Sequence, residues 1–293
     1  MVAFLSMPEA HLDGGSSPLS RRKLLRMLGY GAIGSSVPLL GCIYASRIET
    51  EWVQVQRVQI PLRMAGAHLE GFKIALLSDF HLYPTTRIEL IERAVEMANQ
   101  LKPDLVALGG DYVQGSVDAI FDLAPALARL DATYGVFCIL GNHDHWKGDE
   151  VVEQGLRESG LHLLRNEGLT LSVGRKTVYL AGLDDGWMGR QDLERGLEKQ
   201  PPGVPTILLM HEPDFVDSFV GQGRIDLQLS GHSHGGQVRF PFIGSPFLPP
   251  YGRKYDKGLY RVANTWLYTT VGLGVTAPVR FNCPPEVTEI TLV

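Results

Sequence analysis

The chain has 293 residues, 44% hydrophobic and 20% charged, with a formal net charge of −5. That balance fits a globular protein with a sizeable core, and no basic run beyond residue 26 points to nucleic acid as a main partner. Three cysteines (Cys42, Cys138 and Cys283) are too few and too scattered for a disulfide framework.

The chain opens with a polar, Gly/Ser-rich stretch, 1–20, expected to be disordered. "SRRKLLR" follows at Ser20 to Arg26, and then twenty residues without a charge, Met27 to Ser46. A basic cluster before an apolar stretch is the plan of an export signal. The paired Arg21-Arg22 with Leu24-Leu25 beyond resembles the twin-arginine type, which carries folded proteins across the cytoplasmic membrane. The competing reading is an amphipathic leader helix with a basic end. Whether 27–46 is cleaved, kept in the membrane as an anchor, or lipidated at Cys42 of "LLGC" is left open by the sequence. Residues 1–46 are therefore expected to form a signal or membrane segment and 47–293 the catalytic domain.

From Glu51 the pattern is that of folded protein. "EWVQVQRVQI" (51–60) alternates polar and apolar residues, which predicts a half-buried strand. "RIELIERAVEMANQ" (87–100) repeats apolar residues at helical spacing through Ile88, Ile91 and Val95. Five short apolar runs each end in polar residues: "FKIALLSD" (72–79), "PDLVALGGD" (103–111), "YGVFCILGNHDHW" (134–146), "TILLMHEPD" (206–214) and "IDLQLSGHSH" (225–234). Cys138, inside the third run, is expected in the core, and Cys283 has no partner at a recognisable spacing. In a strand, residues i and i+2 point the same way, so His232 and His234 are expected on one face, between glycines that allow close approach.

Taken singly, these junctions are bland. Asp79 or Asp111 alone reads as a turn former or helix cap, Asn142 as a turn residue, and His211 as a hydrogen-bonded polar side chain. Together, five strand ends deliver ligand-type residues to one edge, where open α/β sheets keep their sites. The pattern predicts a metal site.

The set "SDFHL", "GGDYV", "GNHDHW", "LMHEPD" and "SGHSHGGQ" resembles the calcineurin-like metallophosphoesterases, in particular their twin-arginine-exported YaeI/YkuE-like phosphodiesterase branch. The likeness spans roughly residues 50 to 293 and implies an α/β (α+β) four-layer αββα sandwich, two mixed β-sheets flanked by helices. It also implies two divalent ions. Asp79, His81 and His234 would hold one, Asn142, His211 and His232 the other, and Asp111 would bridge them. A metal-bound hydroxide would then attack a phosphodiester, or a phosphomonoester, directly. His143 would face the substrate, with Asp144 fixing its tautomer. Nitrogen and oxygen ligands without thiolate suit Mn, Fe or Zn. Purple acid phosphatases carry a tyrosine ligand where this chain has Gln114, which excludes that subfamily.

His145 is expected on the substrate side and Trp146 in local packing. The Pro/aromatic segment 240–252 reads either as an apolar wall for a lipid-linked phosphoester or as a stiff surface loop. The alternatives to a phosphodiesterase are a UDP-2,3-diacylglucosamine-type lipid-nucleotide pyrophosphatase and a non-catalytic protein-binding scaffold. Filled ligand positions favour the enzyme. The expected partners are a phosphoester substrate, the twin-arginine machinery and the membrane through 27–46, with the catalytic domain on the outer or periplasmic face.

Overall fold

The computed structural model describes residues 20–62, 69–174 and 176–293, and for 27–37 and 176 the backbone only. The disorder expected at the N-terminus concerns residues that, apart from Ser20, lie outside this description. Two units are present, Met1–Ile43 and Tyr44–Val293.

The first unit contains helix α1, Arg21–Ile43, with Pro38 inside it. Among the described residues no helix is long and apolar enough to cross a membrane. Gly29, Gly31, Gly34, Ser35, Ser36 and Pro38 dilute the apolar stretch that the sequence offers for that role.

The second unit holds two six-stranded mixed sheets. Strands of the first are β1 (Gln54–Ile60), β2 (Lys73–Leu77), β3 (Leu105–Leu108), β4 (Val136–Cys138), β5 (His162–Leu163) and β12 (Glu286–Leu292), in the order β1-β12-β2-β3-β4-β5. The second has β6 (Glu167–Val173), β7 (Lys176–Gly182), β8 (Thr206–Leu209), β9 (Leu227–Ser230), β10 (Gly258–Val262) and β11 (Thr265–Thr269), ordered β10-β11-β9-β8-β7-β6. Neighbouring β2, β3 and β4 run parallel, as do β7, β8 and β9. Their carboxyl ends therefore open on one edge of each sheet.

Side chains of period two separate the layers. Ile74, Leu76, Leu105 and Ala107 face Ile207, Leu209, Leu227 and Leu229 across the sandwich interior. Their neighbours Ala75, Leu77, Val106 and Leu108 point outward, where helices α2 (Ile88–Gln100), α3 (Ile120–Leu127) and α5 (Asp149–Glu158) cover them. Tyr179, Ala181 and Leu208 on the outer face of the second sheet are covered by Leu193, Leu197 and Phe219. The expected four layers are all present, and Cys138 is buried in the first of these outer clusters. Each fully buried Leu or Ile contributes roughly 1.5–3 kcal/mol. The two sheets thus supply the rigidity that the strained loops at their carboxyl ends require.

Candidate metal centre

Five of the seven expected ligands sit at positive φ: Asp79 (53°), His81 (44°), Asp111 (55°), His232 (70°) and His234 (51°). L-residues rarely adopt this region, and each instance costs on the order of 1–3 kcal/mol unless its surroundings enforce it. Here the strands end abruptly and the chain must reverse to aim each side chain inward. Cross-loop bonds hold the reversals: Asp79 N donates to Gly110 O, His81 N to Asp111 O, and Gly231 N to His211 O. The placement of His232 and His234 on one strand face is corrected. Strand β9 stops at Ser230, and the two rings converge through left-handed turns instead.

All seven side chains meet in one buried cluster. Asp79, His81 and His234 offer ligand atoms within 4.8 Å of one another, as do Asp79, Asp111 and His211. His234 Nε2 lies 3.3 Å from Asp79 Oδ1 and 2.9 Å from His81 Nε2. Asp111 Oδ2 lies 3.5 Å from His81 Nε2 and 3.2 Å from His211 Nε2. Asn142 Oδ1 is 2.9 Å from His232 Nδ1. There is no slack around the carboxylates. A Cβ on Gly231 would overlap Asp79 Oδ2 and Ser78 Oγ, and one on Gly141 would overlap Asp111 Oδ1.

The donor chemistry fits a cation. His211 Nδ1 donates to Gly109 O at 2.6 Å and His232 Nε2 to Pro250 O at 2.8 Å, since a carbonyl only accepts. Those outer bonds orient both rings and point His211 Nε2 and His232 Nδ1 into the cluster. The His232 Nδ1 lone pair faces Asn142 Oδ1, a repulsive contact that a cation would relieve. Burial would lower His211, but Asp111, Asp79 and Glu212 outweigh it and hold that ring well above its usual pKa. Its Nε2 therefore carries a proton toward Asp111 Oδ2, where a cation would take its place. Burial pushes His81 and His232 down to about 3, the neutral form that binds metal. Burial, opposed by His211, leaves Asp79 raised to about 6. For Asp111, burial alone would raise the pKa, but His211, His143 and His81 outweigh it and hold the carboxyl well below its usual range. Two buried carboxylates face three imidazoles held neutral, His81, His232 and His234, and one, His211, held protonated, an arrangement in which a divalent ion would replace that proton.

His143 and Asn142 begin helix α4 (Asn142–Lys147). His143 N donates to Asp111 Oδ1 at 2.8 Å, and its ring lies 4.6 Å from that of His81, on the wall of a cavity of about 780 Å³. Asp144 does not orient that ring. Its carboxylate accepts the backbone N–H groups of Gly141, Asp111 and Tyr112 at 2.8–2.9 Å, locking two ligand loops together. Burial, reinforced by Asp111 and opposed by these N–H groups, pushes it up to about 7. Asp144→Ala would leave three buried donors unpaired, at about 1–3 kcal/mol each. Urea unfolding is expected to show a loss of about 3 kcal/mol or more; a loss under about 1 kcal/mol would contradict the anchoring role.

Two neighbours also depart from expectation. The His145 side chain is enclosed, its Nε2 2.7 Å from Asp184 Oδ1, and it takes no part in the cavity wall. Trp146 is 48% exposed and lines the cavity instead of packing beneath it. The segment 240–252 does form part of the wall, through Ser245 to Pro249. Trp187, whose ring lies 5.9 Å from that of Tyr251 in this segment, and Arg280 behind Asp79 escaped the sequence reading. Arg280 is fully buried and donates to the carbonyls of Cys283, Val271, Gly272 and Gly274, while Gly274 N donates to Asp79 O. Only its place in "APVRFNCPP" marked it, and an isolated Arg gives no signal.

A model of the calcineurin-like phosphoesterase family matches residues 72–236, over half of the chain, and all seven expected ligands and His143 fall in that span. The chain is 36% identical over 281 residues to the uncharacterized metallophosphoesterase YkuE of Bacillus subtilis, covering 94% of this chain and 98% of the relative. It is 32% identical over 286 residues to the phosphodiesterase YaeI of Escherichia coli, covering 94% of this chain and 100% of that one. With the sandwich and its buried ligand cluster, these matches place the chain in the calcineurin-like phosphoesterases, as a hydrolase of phosphoric ester bonds.

Proposed function

We propose that the chain is a phosphodiesterase working through two divalent ions at the strand ends. The observation that supports it is the buried convergence of Asp79, Asp111, Asn142 and four histidines, with ring nitrogens and side-chain oxygens pointing at one another. Asp79, His81 and His234 would hold one ion, Asn142, His211 and His232 the other, and Asp111, whose Oδ2 faces both His81 and His211, would be shared by them. When bound, such ions polarise phosphoryl oxygens and supply a strong nucleophile from water near neutral pH. The chain's own residues do the remaining work. His143, pinned through its backbone to Asp111, presents its ring to the phosphoryl and leaving oxygens. Asp144 keeps the two ligand loops in register, and Arg253 lends the cavity wall a cation for an anionic substrate.

Diester hydrolysis is favoured over monoester hydrolysis because a cavity of about 780 Å³ beside the cluster far exceeds a phosphoryl group, and the relative YaeI is named a phosphodiesterase. Purified protein with Mn is expected to cleave bis(p-nitrophenyl) phosphate, to lose the activity in chelator and to regain it on adding Mn. Cleavage that ignores chelator, or no cleavage with Mn, would contradict the reading. A parallel screen with lipid-nucleotide pyrophosphates separates the competing substrate class.

We further propose that residues 47–293 form the catalytic domain and that "SRRKLLR" with 27–46 directs its export by the twin-arginine route. A reporter active only after export, fused at Val293, is expected to fall silent when Arg21-Arg22 becomes Lys-Lys. Export unchanged in that variant would refute the route, and silence in both forms would refute export.

A further inference from the structure

We propose that Trp146 and Trp187 form a subsite for a planar aromatic ring carried by the phosphoester, an aryl group or a nucleobase. The proposal rests on the phosphodiesterase reading of the adjoining centre. The two indole rings lie 5.3 Å apart at 85°, forming a corner. Trp146 stands 4.7 Å from the ring of His143, and Trp187 stands 5.6 Å from that of His232. The foot of the corner is therefore the pair of histidines nearest the expected phosphoryl group.

A planar ring seated there stacks on one indole and meets the other at its edge, both favoured aromatic geometries. The cavity volume of about 780 Å³ is in the range of sites for whole small molecules and far exceeds what a phosphoryl group fills. Packing alone does not explain the pair, because Trp146 leaves nearly half its surface in water.

The corner is also braced. Glu212, directly after ligand His211, accepts the backbone N–H groups of Gly186 and Trp187 at 3.1 and 3.0 Å. Asp185 accepts that of Met188 at 2.6 Å. Asp184 bonds His145 and Arg165 at 2.7 Å each, tying the Trp187 loop to the helix that carries Trp146. A Cβ on Gly186 would press on the Phe215 ring and Met210 Cε, so glycine lets the loop pack close against them. Bracing the backbone beneath both rings lowers the ordering cost of binding.

Calorimetric titration of the metal-loaded full chain tests the assignment without turnover. One pair of probes is phenylphosphonate and cyclohexylphosphonate, the other thymidine 5′-monophosphate and deoxyribose 5-phosphate. The ring-bearing member of at least one pair is expected to bind on the order of tenfold tighter, the scale of one aromatic stack. Trp146→Leu and Trp187→Leu should each shrink that ratio, while Trp146→Phe should keep most of it. Preference within the phosphonate pair alone marks an aryl ester, and preference within the nucleotide pair marks a nucleoside. Equal binding within both pairs, or ratios unchanged in both Leu variants, overturns the subsite. Failure of the phosphodiesterase reading appears separately, as absence of metal-dependent bis(p-nitrophenyl) phosphate cleavage.

Discussion

Asp111→Asn is expected to lose both metal ions and to cut turnover by on the order of 10³-fold or more. The substitution is nearly isosteric. The retained oxygen can still accept from His143 N, which Asp111 Oδ1 does at 2.8 Å. The other position becomes an NH2 that faces His81 Nε2 and His211 Nε2, where Asp111 Oδ2 now lies at 3.5 and 3.2 Å. An amide there donates to the imidazoles, so the fold should survive while the shared anionic ligand is gone. Metal analysis by mass spectrometry, with far-UV circular dichroism as the control for folding, reads both consequences. A folded variant that keeps two ions per chain would contradict the bridging role.

His143→Ala is expected to behave in the opposite way, keeping its metal while turnover falls by roughly two to four orders of magnitude. The geometry supplies the rival outcome. His143 also lies in a group with His81 and Asp111 whose ligand atoms are all within 4.8 Å. If its ring were a ligand, the variant would lose metal along with activity. Metal content and kcat measured on one preparation decide between them, and loss of metal would reassign the residue.

The site was more legible in the sequence than the backbone that makes it. A metal site could be expected because ligand-type residues recur at five strand ends, three of them beside glycine, and the resemblance of those motifs to a known family named the individual ligands; residue type survives whatever the loop does. The left-handed turns at Asp79, His81, Asp111, His232 and His234 could not be read, because they go against intrinsic preference and are imposed by cross-loop bonds. Hence His232 and His234 appeared as strand neighbours. Asp144 seemed to serve the residue beside it, whereas its three partners are backbone groups, two of them more than thirty residues away in sequence.

Strand β12 was hidden for a different reason. It lies inside the first sheet, between β1 and β2, yet carries Glu286, Thr288 and Glu289. These are tolerated because Glu286 accepts from Tyr268, Thr270 and Thr288, and Glu289 pairs with Arg57 and Lys73. Apart from Thr288 these partners are distant in sequence, so nothing local marks the segment as an interior strand. Trp187 was missed likewise: its loop is positioned by Glu212, whose own motif drew attention only to His211.

The most direct test of a binuclear centre at the strand ends is anomalous diffraction from crystals of the Mn-loaded chain, collected at the manganese edge. Two peaks about 3.5–4 Å apart, with Asp111 between them, His81 and His234 on one side, and His211 and His232 on the other, are the predicted result. A single peak, or peaks away from these side chains, would contradict the account.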